Sequence, residues 1–128
     1  MNHKEYLLQL VDENGGMITP EIVVDAARSV DSPIHNSFEW DDDKAGQEYR
    51  LWQARQMIKV EVTFIKSRKT KLFRNVMVTM GDGKQQQGYV AVDVILNNEG
   101  LYNQVLRKAV EGLKYWREEY KTIKELEG

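Results

Sequence analysis

Residues 59–92 read KVEVTFIKSRKTKLFRNVMVTMGDGKQQQGYVAV, and along much of this stretch hydrophobic residues alternate with polar ones. A period of two residues is typical of β-strands that bury one face. The alternation predicts strands at 59–65 and 72–80, paired as an antiparallel hairpin through the loop KSRKTK. A turn at GDGKQQQG then leads into a short third strand, YVAV. The stretch therefore predicts a three-stranded antiparallel meander, which needs a helix over its apolar face to be stable.

Helical patterns flank the predicted sheet on both sides. We expect short helices over residues 3–13 and after Thr19, which precedes Pro20 as an N-cap, and a third helix from about 42 to 58. After the sheet, hydrophobic residues recur on one arc of a long helix that covers the sheet, and its far end at 117–128 overhangs the sheet and either projects or packs on a partner. The residues on this arc are Leu101, Val105, Leu106, Ala109, Leu113, Trp116, Tyr120 and Ile123.

The sequence thus predicts an α+β protein with N-terminal short helices, a three-stranded antiparallel meander and a long C-terminal helix packed on the sheet. Its parts are a helical segment at 1–58, the sheet at 59–92 and the C-terminal helix at 93–128, within a single domain of 128 residues. A chain of this length can bury a core of its own. Its hydrophobic content of 41% and charged content of 30% are typical of soluble globular proteins.

The composition also limits the chemistry. The chain has no cysteine, so disulfides, thiolate zinc sites and a cysteine nucleophile are excluded. The first apolar run ends at Asp12, too short for a signal peptide or a membrane span, and we expect a cytoplasmic protein without a membrane partner. The segment GDGK lacks the first glycine and the Ser or Thr of a phosphate-binding loop. No nucleophile-elbow pattern occurs, so we predict no catalytic residue and no cofactor.

A basic stretch lies within an otherwise acidic chain. The net charge is −2, yet residues 59–84 contain seven basic and two acidic side chains. Lysine and arginine on a two-stranded ribbon can follow a phosphate backbone, which makes the hairpin a candidate nucleic-acid surface. The alternative is a solvated hairpin whose lysines prevent edge pairing, and the pI of 5.7 favours that alternative. The candidate residues are Lys66, Arg68, Lys69, Lys71 and Arg74.

The third predicted helix is hydrophobic on two faces, since Tyr49 and Trp52 lie nearly opposite Leu51 and Ala54. Aromatic and arginine side chains together are typical of binding hot spots and of platforms for stacked bases. Alternatively, the aromatics are core residues with arginine stems packed beside them. The candidate partner-binding residues, including two on the C-terminal helix, are Tyr49, Arg50, Trp52, Arg55, Trp116 and Tyr120.

Three aspartates at 41–43 precede the third predicted helix. With His35 and Glu39 they could supply ligands to magnesium if residues 34–39 were helical. Pro33 argues against such a helix, and aspartates in this place commonly cap free N–H groups and complement the helix dipole. We therefore interpret the run as the beginning of the helix and predict no metal ligand.

A longer pattern spans residues 15–58. It contains Gly-Gly, a Thr-Pro-Glu helix start, Ser-Pro-Ile-His, Phe-Glu-Trp-Asp-Asp, and Tyr-Arg followed by Gln-Ala-Arg. This pattern, with GYVAVDVILNNEGLYNQVLRKAVEGLKYWREEY at 88–120, resembles a family of small phage and prophage proteins of uncharacterised function. The resemblance implies a phage gene product that acts in the cytoplasm of the bacterial host. It carries over no catalytic residue.

Two functions follow from these patterns. The first is a non-enzymatic phage accessory protein that binds DNA or RNA through the basic hairpin. The second is a protein-interaction module, either a modulator of a host or phage machine or a self-associating assembly component that forms a homo-oligomer. A metal-dependent hydrolase ranks third, because it depends on the aspartate run alone.

Overall fold

The protein is α+β, as the sequence predicts. A computed structural model describes the backbone of residues 1–127 and the side chains of residues 1–126. Short helices form the N-terminal part and a long helix packs by its first turns on the strands. In chain order the elements are α1 (His3–Glu13), α2 (Pro20–Ala27), a 3-10 turn (His35–Ser37), α3 (Gln47–Lys59), β1 (Val62–Ile65), β2 (Arg68–Lys71), β3 (Phe73–Thr79), β4 (Gln85–Ala91), α4 (Val92–Leu96) and α5 (Glu99–Glu127).

The first two helices begin and end where their local sequence predicts. The side chain of Asn2 accepts a hydrogen bond from the Glu5 N–H at the start of α1, and Thr19 accepts one from Ile22 at the start of α2. These caps satisfy amide groups that have no partner inside the helix. Past the end of α1, Gly15 has a φ of 73°, a conformation that glycine adopts without strain.

The strands do not form the predicted three-stranded meander. They form two separate antiparallel ladders, β1 with β2 and β3 with β4. Leu72 connects the ladders, because its N–H donates to the Glu61 carbonyl and its own carbonyl accepts from the Val92 N–H. Residues 68–79 are therefore one bent extended segment that pairs with a different neighbour on each side of Leu72.

The difference arises at the first turn. The sequence KSRKTK was expected to be a six-residue loop, but only Lys66 and Ser67 form the turn, with φ of 50° and 67°. Two consecutive residues with positive φ give a turn whose twist matches that of the flanking strands. The remaining residues of KSRKTK pair directly with β1, and Ile65 lies opposite Arg68.

The second hairpin is longer than predicted. The strand β4 begins at Gln85, although three consecutive glutamines lack the hydrophobic alternation of a half-buried strand. These glutamines lie at the exposed outer end of the ladder, where burial does not constrain their identity. Farther along β4, a Cβ atom at Gly88 would overlap the side chain of Met17. The close packing of Met17 over β4 therefore requires glycine at this position.

The main core lies between α1, α2, α3 and the inner ends of β3 and β4. Leu7, Val23, Ala54, Ile58 and Phe73 are among its buried residues. A smaller cluster lies beneath α4 and the first turns of α5, with Met17, Val76, Val90 and Ile95 at its centre. The smaller cluster holds the base of α5 against the second hairpin, because Leu101 and Val105 pack on it.

One side chain fixes α5 to the free edge of β3. Gln104 accepts a hydrogen bond from the Met77 N–H at 3.0 Å and donates one to the Met77 carbonyl at 2.8 Å. The amide of Gln104 thus takes the place of a neighbouring strand at that edge. Only Leu101, Gln104 and Val105 of α5 are partly buried among the side chains that the structure describes.

Replacing Gln104 with alanine is expected to loosen the base of α5 without unfolding the protein. Each of the two hydrogen bonds contributes about 1 kcal/mol, so exchange of the Met77 amide proton should accelerate about fivefold or more. Hydrogen exchange followed by NMR measures this rate. The control is Asn103→Ala, since Asn103 is exposed and makes no side-chain hydrogen bond within residues 1–126. Equal acceleration in both variants would contradict a specific role for Gln104.

Candidate functional site

The helix α5 stops packing on the body of the protein after about its first two turns. From Leu106 onward, every side chain that the structure describes is exposed. Residues 106–126 would extend over about 32 Å at about 1.5 Å per residue. Large hydrophobic residues on this part are at least 42% exposed: Leu106, Val110, Leu113, Tyr115, Trp116, Tyr120, Ile123 and Leu126. Single exposed hydrophobic residues are ordinary, but a continuous row of them is typical of a surface that binds another molecule.

The exposed hydrophobic residues follow a seven-residue repeat. Spacings of three and four residues alternate along the helix, as at positions a and d of a coiled coil. Leu106, Leu113 and Tyr120 occupy position a, and position d is taken by Tyr102, Ala109, Trp116 and Ile123. We call these seven residues the seam. A seam with a period of 3.5 residues is typical of helices that wind around one another.

Charged residues repeat with the same period on the face opposite the seam. Position b holds Arg107, Lys114 and Lys121, and position f holds Glu111, Glu118 and Glu125. The Lys121 ammonium lies 3.7 Å from a Glu118 carboxylate oxygen. Both the apolar and the charged residues therefore divide α5 into a face for contact and a face for water.

Most of the seam is free of the protein's own body, although Tyr102 and Ala109 at its start also line clefts against the strands. Leu101, Gln104 and Val105 pack on the strands, whereas the seam begins about 110° around the helix, at 100° per residue. Tyr102, the first seam residue, is already 43% exposed. A second helix can therefore lie along the seam from Leu113 onward without displacing the contacts that hold α5 to the sheet.

The five cations predicted in the basic hairpin do not lie on one face. Lys69 lies opposite Phe64 and Lys71 opposite Val62, which places both lysines on one face of the ladder. Arg68 lies opposite Ile65 on the other face, and Lys66 is at the turn. None of the five forms an ion pair within residues 1–126. Nucleic-acid binding by all five together stays a prediction.

Two of the five cations meet two others in a cleft. Lys71 and Arg74 line a cleft of about 490 Å³ together with Lys59 from α3 and Lys108 from α5. We call it the cationic cleft, and its remaining lining residues are Phe73, Asn75, Tyr89, Val105 and Ala109. No acidic residue of the described chain lines it. Lys59 and Lys108 were not among the predicted binding residues, because only the tertiary fold brings α3 and α5 beside Lys71 and Arg74.

The aromatic residues of α3 lie on the surface, but one of the two arginines predicted to share that surface does not. The rings of Tyr49 and Trp52 stack with centroids 5.7 Å apart and are 47% and 50% exposed. Arg50, predicted to contact a partner, is only 6% exposed, and Arg55 is partly buried. The helix presents Leu51 and Ala54 to the core, so the arginine between these faces lies inside the protein.

The aspartate run does not begin α3, which corrects the predicted helix start at 42. The helix begins at Gln47 with Gly46 as its N-cap, and no side chain caps it. Asp41 instead closes a turn by accepting a hydrogen bond from the Asp43 N–H at 3.0 Å. Asp42 lies 2.8 Å from Nη2 of Arg50. These two aspartates hold a turn and pair with a buried arginine rather than cap the helix.

Trp40 is the centre of the Phe-Glu-Trp-Asp-Asp segment. Its ring stacks on His35 with centroids 5.1 Å apart, and its Nε1 donates to the His35 carbonyl at 2.7 Å. Arg28 and Arg50 lie over the ring at 5.7 Å and 5.4 Å. His35 also bonds the Ala27 carbonyl through Nδ1 at 2.8 Å. These contacts account for the segment as local structure.

No group of three histidine, aspartate or glutamate side chains suited to a metal ion occurs among the described residues. Within residues 1–127, no helix is both long and apolar enough to cross a membrane.

No protein-family model, no curated protein and no solved structure matches the chain. The resemblance to phage proteins therefore stays a prediction.

Proposed function

We propose that this protein is a non-enzymatic assembly component that self-associates through α5, with two copies forming a parallel coiled coil along the seam. The observation that supports the proposal is the exposed seam itself, made of seven residues of which only Tyr102 and Ala109 also line clefts against the body of the described chain. An isolated helix of this length is marginally stable in water, and burying the seam against a second copy would stabilise it. Phage origin and a cytoplasmic location remain predictions that accompany this proposal.

The charges beside the seam favour a second copy in parallel orientation. In a parallel pair, position g of one helix faces position e of the next heptad in its partner. Glu119 at g would then face Lys124 at e, and twofold symmetry gives this pair twice. In an antiparallel pair, position e faces position e, which brings Arg117 and Lys124 toward their own copies. Like charges across the seam are unfavourable, so the parallel arrangement fits the charges better.

The experiment that tests the proposal uses a single engineered cysteine, since the chain has none of its own. In a parallel coiled coil, the two copies of a d-position residue lie in the same layer, within reach of a disulfide. Ile123→Cys is therefore expected to form a covalent dimer on mild oxidation. Non-reducing electrophoresis measures the yield.

Thr122→Cys is the matched control, because position 122 lies one residue away at position c, outside the seam. We expect it to form little dimer. Comparable crosslinking of both variants, or a wild-type chain that sediments as a monomer at every concentration tested, would refute the proposal. Sedimentation of the uncrosslinked protein distinguishes specific association from chance crosslinking, since it reports association without any disulfide.

A further inference from the structure

We infer that the cationic cleft, with the adjoining face of the first hairpin, binds single-stranded nucleic acid. Lys59, Lys71, Arg74 and Lys108 come from four different elements and converge on one cleft. A cleft lined by one sign of charge and walled by apolar groups concentrates ions of the opposite sign. Phosphodiester groups are the anions that lysine and arginine recognise in a polymer.

The described residues of the cleft supply no charge compensation of their own. The ion pairs that the structure describes are Asp25 with Arg28, Asp42 with Arg50 and Glu118 with Lys121, and none involves a cleft residue. Four cations that face one another without a carboxylate repel one another, and an anion in the cleft would relieve that repulsion. The arrangement is therefore more favourable with an anionic ligand than without one.

A polar atom at the cleft also lacks a partner. Asn75 lines the cleft, and its Oδ1 is buried without a hydrogen bond in the described part of the chain. Buried polar atoms are nearly always paired, so an exception calls for an explanation. This oxygen has almost no accessible surface, so a base N–H could pair with it only after the Asn75 side chain turns toward the cleft. The charge of the cleft, and not Asn75, is therefore the observation that carries the inference.

The face of the hairpin continues the cleft outward as a binding path. Lys69 and Lys71 share one face of the first ladder, about 7 Å apart as alternate residues of a strand. Phe64 lies opposite Lys69 on the same face and is 68% exposed. Exposed aromatic rings beside cations stack the bases of single strands while the cations hold the backbone. This combination favours a flexible strand over an isolated phosphate compound.

Fluorescence anisotropy with a labelled single-stranded oligonucleotide, measured over a range of salt concentrations, tests the inference. Lys71→Gln with Lys108→Gln is expected to weaken binding at least about tenfold at low salt. The double variant neutralises two fewer phosphates, and each accounts for about 0.7 of the slope of log affinity against log salt, so this slope should fall by about 1.4. Phe64→Ala should weaken binding about fivefold or more with an unchanged slope, because stacking releases no counterions.

Lys66→Gln with Arg68→Gln is the matched control, since it removes the same charge from the same hairpin outside this face. We expect it to change affinity by less than about threefold and to leave the salt slope nearly unchanged. Circular dichroism of each variant verifies folding. Three results would overturn the inference: no binding by the wild type at low salt, an equal loss in the control, or complete competition by millimolar inorganic phosphate. Sedimentation under the binding conditions reports self-association separately, which is needed because Ala109 belongs to both the seam and the cleft.

Discussion

Trp116→Ala is expected to convert the self-associated protein largely into monomer, whereas Tyr115→Ala should leave association nearly intact. Both side chains are aromatic, adjacent and well exposed, at 69% and 60%. They differ in heptad position, because Trp116 occupies position d of the seam and Tyr115 occupies position c. A buried tryptophan at the centre of an interface contributes about 2 kcal/mol or more, which is about thirtyfold or more in the dissociation constant.

Sedimentation equilibrium over a range of protein concentrations measures this difference. Trp116 also meets Tyr115 edge to face with centroids 5.8 Å apart, so a small loss on removing Tyr115 is compatible with the seam. An equal loss in both variants would mean that α5 associates through general hydrophobicity and not through the heptad repeat. Leu113→Asp extends the test, because a carboxylate at position a should abolish association altogether.

An overhang of α5 could be predicted from the sequence because its signal is local, but we expected it to begin at Arg117, whereas the structure exposes the helix from Leu106 onward. Hydrophobic spacing along one helix requires no knowledge of the rest of the fold, and the sequence already indicated that the helix overhangs the sheet. The end of packing at Val105 could not be predicted, since it depends on how much of α5 the small hairpin β3–β4 can cover. Tertiary geometry sets that limit.

The sheet shows how a local signal can mislead. Alternation identified β1 and β3, although it began β1 at Lys59, which ends α3, and not at Val62. It also cannot distinguish a long loop from a tight turn followed by a polar strand. The tight turn at Lys66 and Ser67 lacks the Asn-Gly or Asp-Gly pair that usually marks positive φ in hairpins. The strand β2, RKTK, carries no apolar residue, because it lies at an exposed edge. The turn and β2 were both missed because their residues are mostly exposed, so burial does not impose a hydrophobic pattern on them.

The cationic cleft illustrates the part of a site that a single sequence does not reveal. Lys71 and Arg74 were predicted from a local charge excess, whereas Lys108 is separated from Arg74 by the whole second hairpin and α4. The same holds for Arg50, which lies between the exposed Tyr49 and the buried Leu51. Its burial depends on the path of residues 39–45, which follows no periodic pattern.

Arg50→Ala is expected to lower the free energy of unfolding by about 3 kcal/mol, because the guanidinium holds the segment before α3 in place. Its Nη1 donates to the Glu39 carbonyl at 3.2 Å and to the Ala45 carbonyl at 3.3 Å. Its Nη2 donates to Asp42 at 2.8 Å, and its guanidinium lies 5.4 Å from the centre of the Trp40 ring. Alanine leaves two partly buried carbonyl oxygens without a donor and a void beside Trp40. Urea denaturation followed by tryptophan fluorescence measures the change.

Arg55→Ala is the matched control, since Arg55 lies on the same helix, is partly buried and makes no side-chain hydrogen bond or ion pair among the described residues. It should change the free energy of unfolding by less than about 1 kcal/mol. Arg50→Lys separates charge from geometry, because lysine keeps the positive charge but cannot donate in the planar fork that reaches three acceptors at once. We therefore expect Arg50→Lys to be nearly as destabilising as alanine. A lysine variant as stable as the wild type would mean that Arg50 acts through its charge on Asp42 alone, and that the two backbone hydrogen bonds contribute little.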